Sequence, residues 1–348
     1  GHIQVHQKGY LDKPSLYKTI GSPEEIGSRI DSYEQVESWA PRIYSAGLVS
    51  IIQKSAGAEI IGVDPQREDR TTAFSNKIVE GRYFEEPGEV LIGKELAKIL
   101  EGGVGDEIAI FSQAADGSIA ENLYTVVGLL DMGDPRLNRS GFYMQLSDAR
   151  ELLVLYNQAH ELAVTLHDLR QVEKVTAALR AEFSDTELSV APWQEFAEEF
   201  YRAMQADKNG MYISLVVVIL VVAITILNTI LMSVMERQKE YGVLKAIGTR
   251  PVNIVKMVVA ETSMLALFSI VIGSVITFFL NSYMAEQGLH LGSPINWGGI
   301  QLEYMKGEVN LRSFLLPSIT VIVTSLAVCL FPAIKAARTE PAKTMRVF

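Results

Sequence analysis

Three apolar segments toward the C-terminal end are long enough to cross a lipid bilayer, and they constrain the fold more than any other feature of this sequence. The first, Met211–Met235, contains 25 residues and no charged side chain. At 1.5 Å per residue, a helix of this length exceeds the roughly 30 Å hydrocarbon core of a membrane. One such segment is compatible with a buried helix of a soluble domain. Three together predict membrane spans at about 211–235, 254–284 and 313–334.

The basic residues around these segments predict their orientation. Five lysines and arginines follow the first span and four follow the third, whereas the longer connection between the second and third spans has two. Positively charged connections stay on the cytoplasmic side of a membrane. We therefore expect a cytoplasmic segment at 236–251, a cytoplasmic C-terminus and an external loop at 285–312. The region before the first span is then also external.

The N-terminal region has the charge of a water-exposed domain. Up to Gly210 there are 20 Lys and Arg against 34 Asp and Glu, whereas the remainder has 11 against 7. Such an acidic domain lacks the positive surface that nucleic acid requires, so nucleic acid is excluded as a partner. We expect an external domain at 1–205 and a transmembrane domain at 206–348. Because an external domain must be translocated, we also expect a fourth span before Gly1, with a removed signal peptide as the alternative.

Mixed helix and strand patterns predict an α/β fold for the external domain. Ser22 followed by Pro23 is typical of a helix start, with Ser22 as the N-cap residue. Two β-rich runs, 43–53 and 59–63, predict a hairpin whose turn lies around Ser55–Gly57.

The sequence predicts one continuous helix at the end of the external domain, and this helix continues into the first span. We interpret it as a stalk that carries motion between the membrane and the external domain, although a helix packed on its own domain fits the pattern equally well. The residues that share one face of this helix are Trp193, Phe196, Phe200 and Met204.

The sequence predicts no catalytic, nucleotide or metal site. The segment Gly88–Glu95 approaches a phosphate-binding P-loop, but Glu95 stands where a hydroxyl residue would ligate Mg²⁺. The five histidines form no ligand-like cluster. His2 and His6 alternate with apolar residues, which predicts a strand with a solvent-exposed polar face. The single cysteine, Cys329, excludes a disulfide or a cysteine-based metal site within one chain.

The connection after the first span carries the most functional information. It is charged at its start and then has Tyr241, Leu244 and Ile247 on one side, with Gly248 and Pro251 as stop signals. This pattern predicts an amphipathic helix at the inner face of the membrane, with its apolar stripe available to lipid or a partner; an inert connection is the alternative. In the second span, the acid Glu261 is expected to pair with a base or a polar group of the bundle.

These segments resemble the signature of the MacB/FtsX-type ABC transporter permeases. The external domain resembles the periplasmic core domain of that family, and its opening resembles the lipoprotein-releasing LolC/LolE branch. The residues that carry the resemblance are Glu236–Pro251, Ala260-Glu261, Gly273, Phe331–Ala342, Gly93–Ala97, Gly105-Asp106, Gly1–His6 and Gly9-Tyr10.

The resemblance implies mechanotransmission, in which a separate cytoplasmic ATPase dimer moves the spans and thereby the external domains. ATP and Mg²⁺ would bind to that ATPase and no cofactor to this chain, which is then not an enzyme. A second permease copy or a paralogue would complete a dimer. The residues that the resemblance assigns to contact with the ATPase are Glu236, Arg237, Glu240, Tyr241, Gly242, Lys245 and Gly248.

The resemblance also implies a multi-pass protein of the bacterial inner membrane with a large periplasmic domain. The leading hypothesis is a permease that releases lipoproteins from the outer leaflet of that membrane. A MacB-like permease that moves peptides, toxins or drugs with a periplasmic adaptor is an alternative. An FtsX-like protein that regulates a cell-wall hydrolase is another, although the size of the external domain favours transport.

Overall fold

The computed structural model describes residues 1–297 and 300–338, which divide into two compact units. Unit 1 comprises Gly1–Met204 and Ile295–Leu302, and unit 2 comprises Gln205–Pro294 and the residues from Glu303 on. Residues 298 and 299 of the predicted external loop and residues 339–342 of the tail motif lie outside the described residues.

The strands are β1 (Ile3–Gln7), β2 (Ile20–Gly21), β3 (Val36–Ile51), β4 (Lys54–Val63), β5 (Ile78–Gly81), β6 (Glu89–Gly93), β7 (Glu107–Gln113), β8 (Ile119–Leu130), β9 (Gly141–Gln145), β10 (Gln158–Ala159), β11 (Glu161–Leu166), β12 (Leu188–Pro192), β13 (Leu289–Trp297) and β14 (Ile300–Met305). The helices are α1 (Pro23–Ile30), α2 (Pro65–Thr72), α3 (Lys94–Leu100), α4 (Pro135–Ser140), α5 (Leu146–Leu152), α6 (Val172–Glu182), α7 (Trp193–Phe196), α8 (Glu198–Glu236), α9 (Gln238–Ala246), α10 (Pro251–Gln287) and α11 (Leu311–Arg338).

Unit 1 is built on a mixed ten-stranded sheet, which confirms the predicted α/β class. The strand order is β12-β1-β11-β3-β4-β9-β6-β8-β5, and β7 pairs with both β3 and β8. The β4–β9 and β6–β8 pairs are parallel and the others antiparallel. Strand β6 is buried along its whole length. Its apolar run 90–92 therefore belongs to the core and cannot serve as a flexible phosphate-binding loop.

The core of unit 1 forms where helices cover this sheet. Helices α3 and α5 pack on its middle strands and bury Leu96 and Ala149 against Ile60 and Phe142. Helix α6 packs on β12 and buries Leu179 in a second cluster. Burial of such apolar surface contributes about 25 cal/mol per Å² and supplies most of the stability of a domain of this kind.

A charged cluster lies buried beside β3 and β11. The Arg42 guanidinium donates from Nε and Nη2 to the two carboxylate oxygens of Glu68 (2.9 and 2.7 Å) and from Nη1 to Oε1 of Glu161 (2.9 Å). Burial raises the pKa of the Glu68 carboxyl, but the charge and hydrogen bonds of Arg42 together outweigh it, so the pKa lies below its usual value. The cluster holds α2 against the sheet through an arginine fork that matches carboxylate geometry.

The structure corrects two local predictions in unit 1. Helix α1 begins at Pro23 as expected, but Ser22 has a φ of 48° and its side chain caps no helical N–H. The β3–β4 hairpin turns at Ile52 and Gln53, because the pairing of the two strands continues to Ile51 and Lys54. The polar residues around Ser55 thus belong to a strand and not to the turn.

The predicted solvent-exposed polar face of the first strand is wrong for His6, whereas His2 and Gln4 are partly exposed. Strand β1 pairs with β11 on one side and β12 on the other, and His6 is buried. Its Nδ1 lies 3.2 Å from the carbonyl oxygen of His160, and its ring stacks on Tyr10. Burial lowers the pKa of both histidines. A period of two shows which residues share a face, but it does not show whether other elements cover that face.

Within the described residues, three helices are long and apolar enough to cross a membrane. Helices α10 and α11 lie in unit 2, and α8 belongs to it from Gln205 on. Helices α10 and α11 pack against one another. Small side chains line this contact, with Thr262 and Ala266 on α10 and Ser325, Cys329 and Ala333 on α11 buried. Small residues allow two membrane helices to approach closely. Together with unit 1, these helices confirm the predicted α/β domain combined with an α-helical membrane bundle.

Candidate coupling site

The segment between α8 and α10 forms a short helix, α9, with a defined end. Gly248 has a φ of 97°, its N–H donates to the Lys245 carbonyl (3.0 Å), and the Thr249 N–H donates to the Leu244 carbonyl (2.9 Å). These two bonds constitute a Schellman motif, which requires the left-handed conformation that glycine adopts most easily. Helix α10 then begins at Pro251, a residue suited to the first helical position. The stop signals at Gly248 and Pro251 therefore place α9 and α10 on either side of a tight turn.

Tyr241 anchors α9 in the core of unit 2. Its side chain is 1% exposed and belongs to a cluster with Ile254 and Val258 of α10 and three alanines of α11. Leu244 packs against the same cluster. The predicted apolar stripe is therefore divided, because Tyr241 and Leu244 face the unit itself, whereas Ile247 is 75% exposed.

Arg237, the residue between α8 and α9, connects α9 to α10. Its Nη1 donates to both carboxylate oxygens of Glu261 (3.1 and 3.3 Å), and its Nε donates to Glu240 (3.0 Å). The hydrogen bond to Glu240, with further contributions from Tyr241 and Glu261, raises the pKa of Arg237 above its usual value. Glu261, the acid within the apolar part of α10, thus has a basic partner.

Lys245 connects the other end of α9 to α11. Its Nζ donates to the backbone carbonyl of Ala337 at 2.9 Å. Ala337 lies in the last turn of α11, where carbonyl groups have no partner within the helix and carry the negative end of the helix dipole. A lysine is well suited to this position, since it satisfies a carbonyl and places a positive charge beside the dipole.

The predicted contact residues therefore lie in different environments. Glu236, Glu240 and Gly248 are exposed, whereas Tyr241 and Gly242 are buried in unit 2. The side chains of Arg237 and Lys245 are directed to other helices of the same unit. The remaining surface of α9 contains Lys239, Val243 and Ile247, which are exposed. The role of the segment as a contact for an ATPase stays a prediction.

The alanines at the end of α11 belong to this site, although sequence reasoning did not assign them a role. Ala333, Ala336 and Ala337 are buried against Tyr241 and its neighbours. Their spacing of three and four residues places them on one face of a helix. Small residues with this spacing are typical of close helix packing and could have indicated the contact from the sequence.

The predicted stalk residues lie at the end of unit 1. Trp193 and Phe196 form the short helix α7, and a non-helical Ala197 separates them from α8, which contains Phe200 and Met204. The Trp193 ring packs edge-on against Phe200, with ring centroids 6.3 Å apart. The predicted continuous helix is therefore interrupted at Ala197, and the Trp193 contact bridges the interruption.

Comparison with known protein families gives two matches that together span most of the chain. Residues 1–182 match the family described as MacB-like periplasmic core domain, and residues 212–341 match the FtsX-like permease C-terminal family. The periplasmic region of MacB from Actinobacillus actinomycetemcomitans is a similar solved structure, with 14% identity, coverage of 56% of this chain and 90% of that one, and a TM-score of 0.41.

Two curated proteins are similar along almost the whole chain. The lipoprotein-releasing system transmembrane protein LolC of Neisseria meningitidis serogroup B is 24% identical over 327 residues, which cover 88% of this chain and 77% of that protein. The corresponding LolE protein of Haemophilus influenzae is 23% identical over 340 residues, which cover 94% of this chain and 81% of that protein.

Proposed function

The chain belongs to the family of MacB-like and FtsX-like ABC transporter permeases, and on this premise we propose that it is the permease subunit of an ATP-driven transporter that releases lipoproteins from the inner membrane. The observation that carries this proposal is the similarity to LolC and LolE, which extends over both units and covers 88% and 94% of the chain. If the similarity were confined to unit 1, it would support only a shared fold of the external domain. If it were confined to unit 2, it would support only a shared membrane anchor.

The structure supports a mechanical role for the coupling site. Helix α9 is a nine-residue segment and is too short to be stable on its own in water. It is held by a buried tyrosine and by bonds to α10 and α11. A force applied to α9 would therefore reach two of the long apolar helices directly. In this proposal α8, α10 and α11 cross the inner membrane, unit 1 lies in the periplasm and α9 lies in the cytoplasm.

The partners follow from the same proposal. A cytoplasmic ATPase dimer binds ATP and Mg²⁺ and contacts the segment 236–251, and a second permease, identical or paralogous, completes the membrane part. The lipoprotein substrate is recognised by its acyl chains at the outer leaflet. ABC transporter permeases as a class act with such an ATPase. In this proposal the chain is the force-transmitting subunit and the ATPase is the enzyme.

A second candidate function is export of a peptide, toxin or drug through a periplasmic adaptor. The match of residues 1–182 to the MacB-like periplasmic core domain favours it. The two functions differ in the chemistry of the substrate, since one substrate carries acyl chains anchored in a leaflet and the other is soluble in the periplasm.

Copurification tests the proposal first. The full-length chain is extracted from its native membrane in mild detergent, and the associated proteins are identified by mass spectrometry. An ATPase with a P-loop and acylated proteins are expected. An ATPase with an adaptor or an outer-membrane tunnel would support MacB-like export, and an ATPase with a cell-wall hydrolase would support FtsX-like regulation. Recovery without any ATPase would contradict the proposal.

Reconstitution then tests the substrate. The purified complex is placed in proteoliposomes that contain a fluorescent lipoprotein, and release is measured with and without ATP. The matched control is the same protein without its acylated cysteine. ATP-dependent release restricted to the acylated form is expected, whereas equal handling of both forms would exclude recognition through acyl chains.

A further inference from the structure

Two polar contacts attach the α9 segment to α10 and to the last turn of α11, and we call them the interhelical clasp. One is the ion pair between Arg237 and Glu261 of α10, with oxygen–nitrogen distances of 3.1 and 3.3 Å. The other is the hydrogen bond from Lys245 to the Ala337 carbonyl of α11, at 2.9 Å. They lie at opposite ends of α9, and the buried Tyr241 lies between them. Helix α9 is therefore held at three points within its own unit.

The geometry of the clasp distinguishes two groups of side chains on α9. Arg237 and Lys245 use their charged groups on partners within unit 2. Lys239, Val243 and Ile247 are exposed, and Val243 and Ile247 have half or more of their surface accessible. A charged group that is already bonded within its own unit must break that bond before it can bind a partner protein, and for Arg237 this would leave Glu261 without its cation.

We infer that Arg237 and Lys245 are positioning residues, which lock α9 to α10 and α11 so that the three helices move together, and that they do not bind the ATPase themselves. This inference rests on the proposed function, because it states how a force from the ATPase passes through α9 to α10 and α11. It replaces the sequence-based expectation that both basic residues contact the ATPase. The role of Glu261 is then to accept the hydrogen bonds of Arg237 in the clasp.

The charge of Glu261 fits this role. An acid within a long apolar helix is costly unless it is paired, and pairing is the usual reason for its presence. Arg237 approaches it from the neighbouring connection and places a second nitrogen on Glu240, so that one guanidinium joins α9 and α10. The planar, forked guanidinium presents separate nitrogens to the two carboxylates, which suits it to joining both.

A charge-swap experiment tests the clasp in the full-length chain without any ATPase. Amide hydrogen exchange of residues 238–246 is measured by mass spectrometry for the wild type, Arg237→Glu, Glu261→Arg and the double variant. Each single reversal is expected to raise the exchange rate of α9 on the order of tenfold, because it places like charges together. The double variant restores an ion pair between positions 237 and 261 but places a carboxylate beside Glu240, so it is expected to recover only part of the lost protection. Single reversals without any effect on exchange would overturn the inference.

The functional arm uses the complex of the permease with its ATPase and measures substrate released per ATP hydrolysed. The single reversals are expected to lower this ratio about tenfold while the ATPase still copurifies, and the swap is expected to restore part of it. Direct contact between Arg237 and the ATPase would give the opposite pattern, with loss of copurification and no rescue by the swap. That result would overturn the assignment.

Two further variants serve as matched comparisons. Lys239→Glu reverses a basic side chain two positions from Arg237 that is exposed, and it is expected to leave the exchange of α9 unchanged. Lys245→Arg retains the cation beside the α11 terminus and is expected to preserve the release ratio, whereas Lys245→Met is expected to lower it. Equal losses for Lys245→Arg and Lys245→Met would contradict a role for the Ala337 contact.

The two arms separate the inference from the proposed function. A wild-type complex that binds no ATPase or releases no substrate would contradict the proposed function. The exchange measurements would still show whether Arg237 and Glu261 hold α9, since they need neither ATP nor substrate.

Discussion

Replacement of Tyr241 by alanine is expected to release α9 from unit 2. The side chain is 1% exposed, and it fills the space between α10 and the alanines of α11. An aromatic side chain buries about 150–250 Å². At about 25 cal/mol per Å² this corresponds to about 4–6 kcal/mol, and truncation of a buried aromatic residue to alanine costs about 3–5 kcal/mol in practice.

This loss is large compared with the other forces that hold α9. The helix has nine residues, so its intrinsic stability in water is marginal. If local detachment becomes easier by about 3–5 kcal/mol, the open state becomes about 100- to 4,000-fold more populated, since about 1.4 kcal/mol corresponds to a factor of ten. Tyr241 therefore contributes more to the docking of α9 than a half-exposed ion pair does.

Hydrogen exchange of the full-length chain in nanodiscs measures this population. Amides of residues 238–246 are expected to exchange about 100- to 4,000-fold faster in Tyr241→Ala than in the wild type. Tyr241→Phe retains the ring and should exchange at nearly the wild-type rate. Val243→Ala truncates a side chain on the same helix that is 51% exposed and should also change little. Unchanged protection in Tyr241→Ala would refute the argument that this ring anchors α9.

Three further predictions concern stability and local structure. Arg42→Met leaves two buried carboxylates without a cation and is expected to destabilise unit 1 by about 3–5 kcal/mol. This corresponds to a fall in Tm of about 6–20 °C. The control Arg170→Met removes an exposed ion pair and should change Tm little. Burial lowers the pKa of His6 and His160 below 6.5, so the unfolded state binds more protons than the folded state. The free energy of unfolding should therefore fall as the pH drops below about 6.5. His160→Gln should make the Tm depend less on pH between pH 7 and 5. Gly248→Ala forces a side chain into a conformation with a φ of 97° and should cost about 1–2 kcal/mol, measured as faster exchange in the last turn of α9.

Sequence reasoning was most successful where a segment carries its own structural signal. The apolar length of 211–235 predicts a long helix whatever surrounds it, and α8 includes this segment. Glycine at 248 and proline at 251 act through their own backbone preferences, and both function at the ends of helices as expected.

Errors arose where a residue's environment depends on distant elements. The sequence places His6 on a polar face of β1, yet its Nδ1 lies 3.2 Å from the carbonyl oxygen of His160, 154 residues away, and its side chain is buried. Similarly, Ser22 has the residue type of a helix cap, but its left-handed backbone prevents the capping bond. Periodicity and residue type describe one segment at a time, whereas burial results from contacts with segments far away in the chain.

The same distinction separates what the sequence determined from what the tertiary structure decided at the coupling site. Length, apolarity and basic flanks determined that three helices could cross a membrane and that a short charged helix connects two of them, because these properties act within a segment. Only the tertiary structure decided that Tyr241 is buried, that Arg237 pairs with Glu261 and that Lys245 binds the end of α11. These partners are 24 and 92 residues apart in the chain. Such contacts form only when α9, α10 and α11 pack together, and no local pattern specifies them.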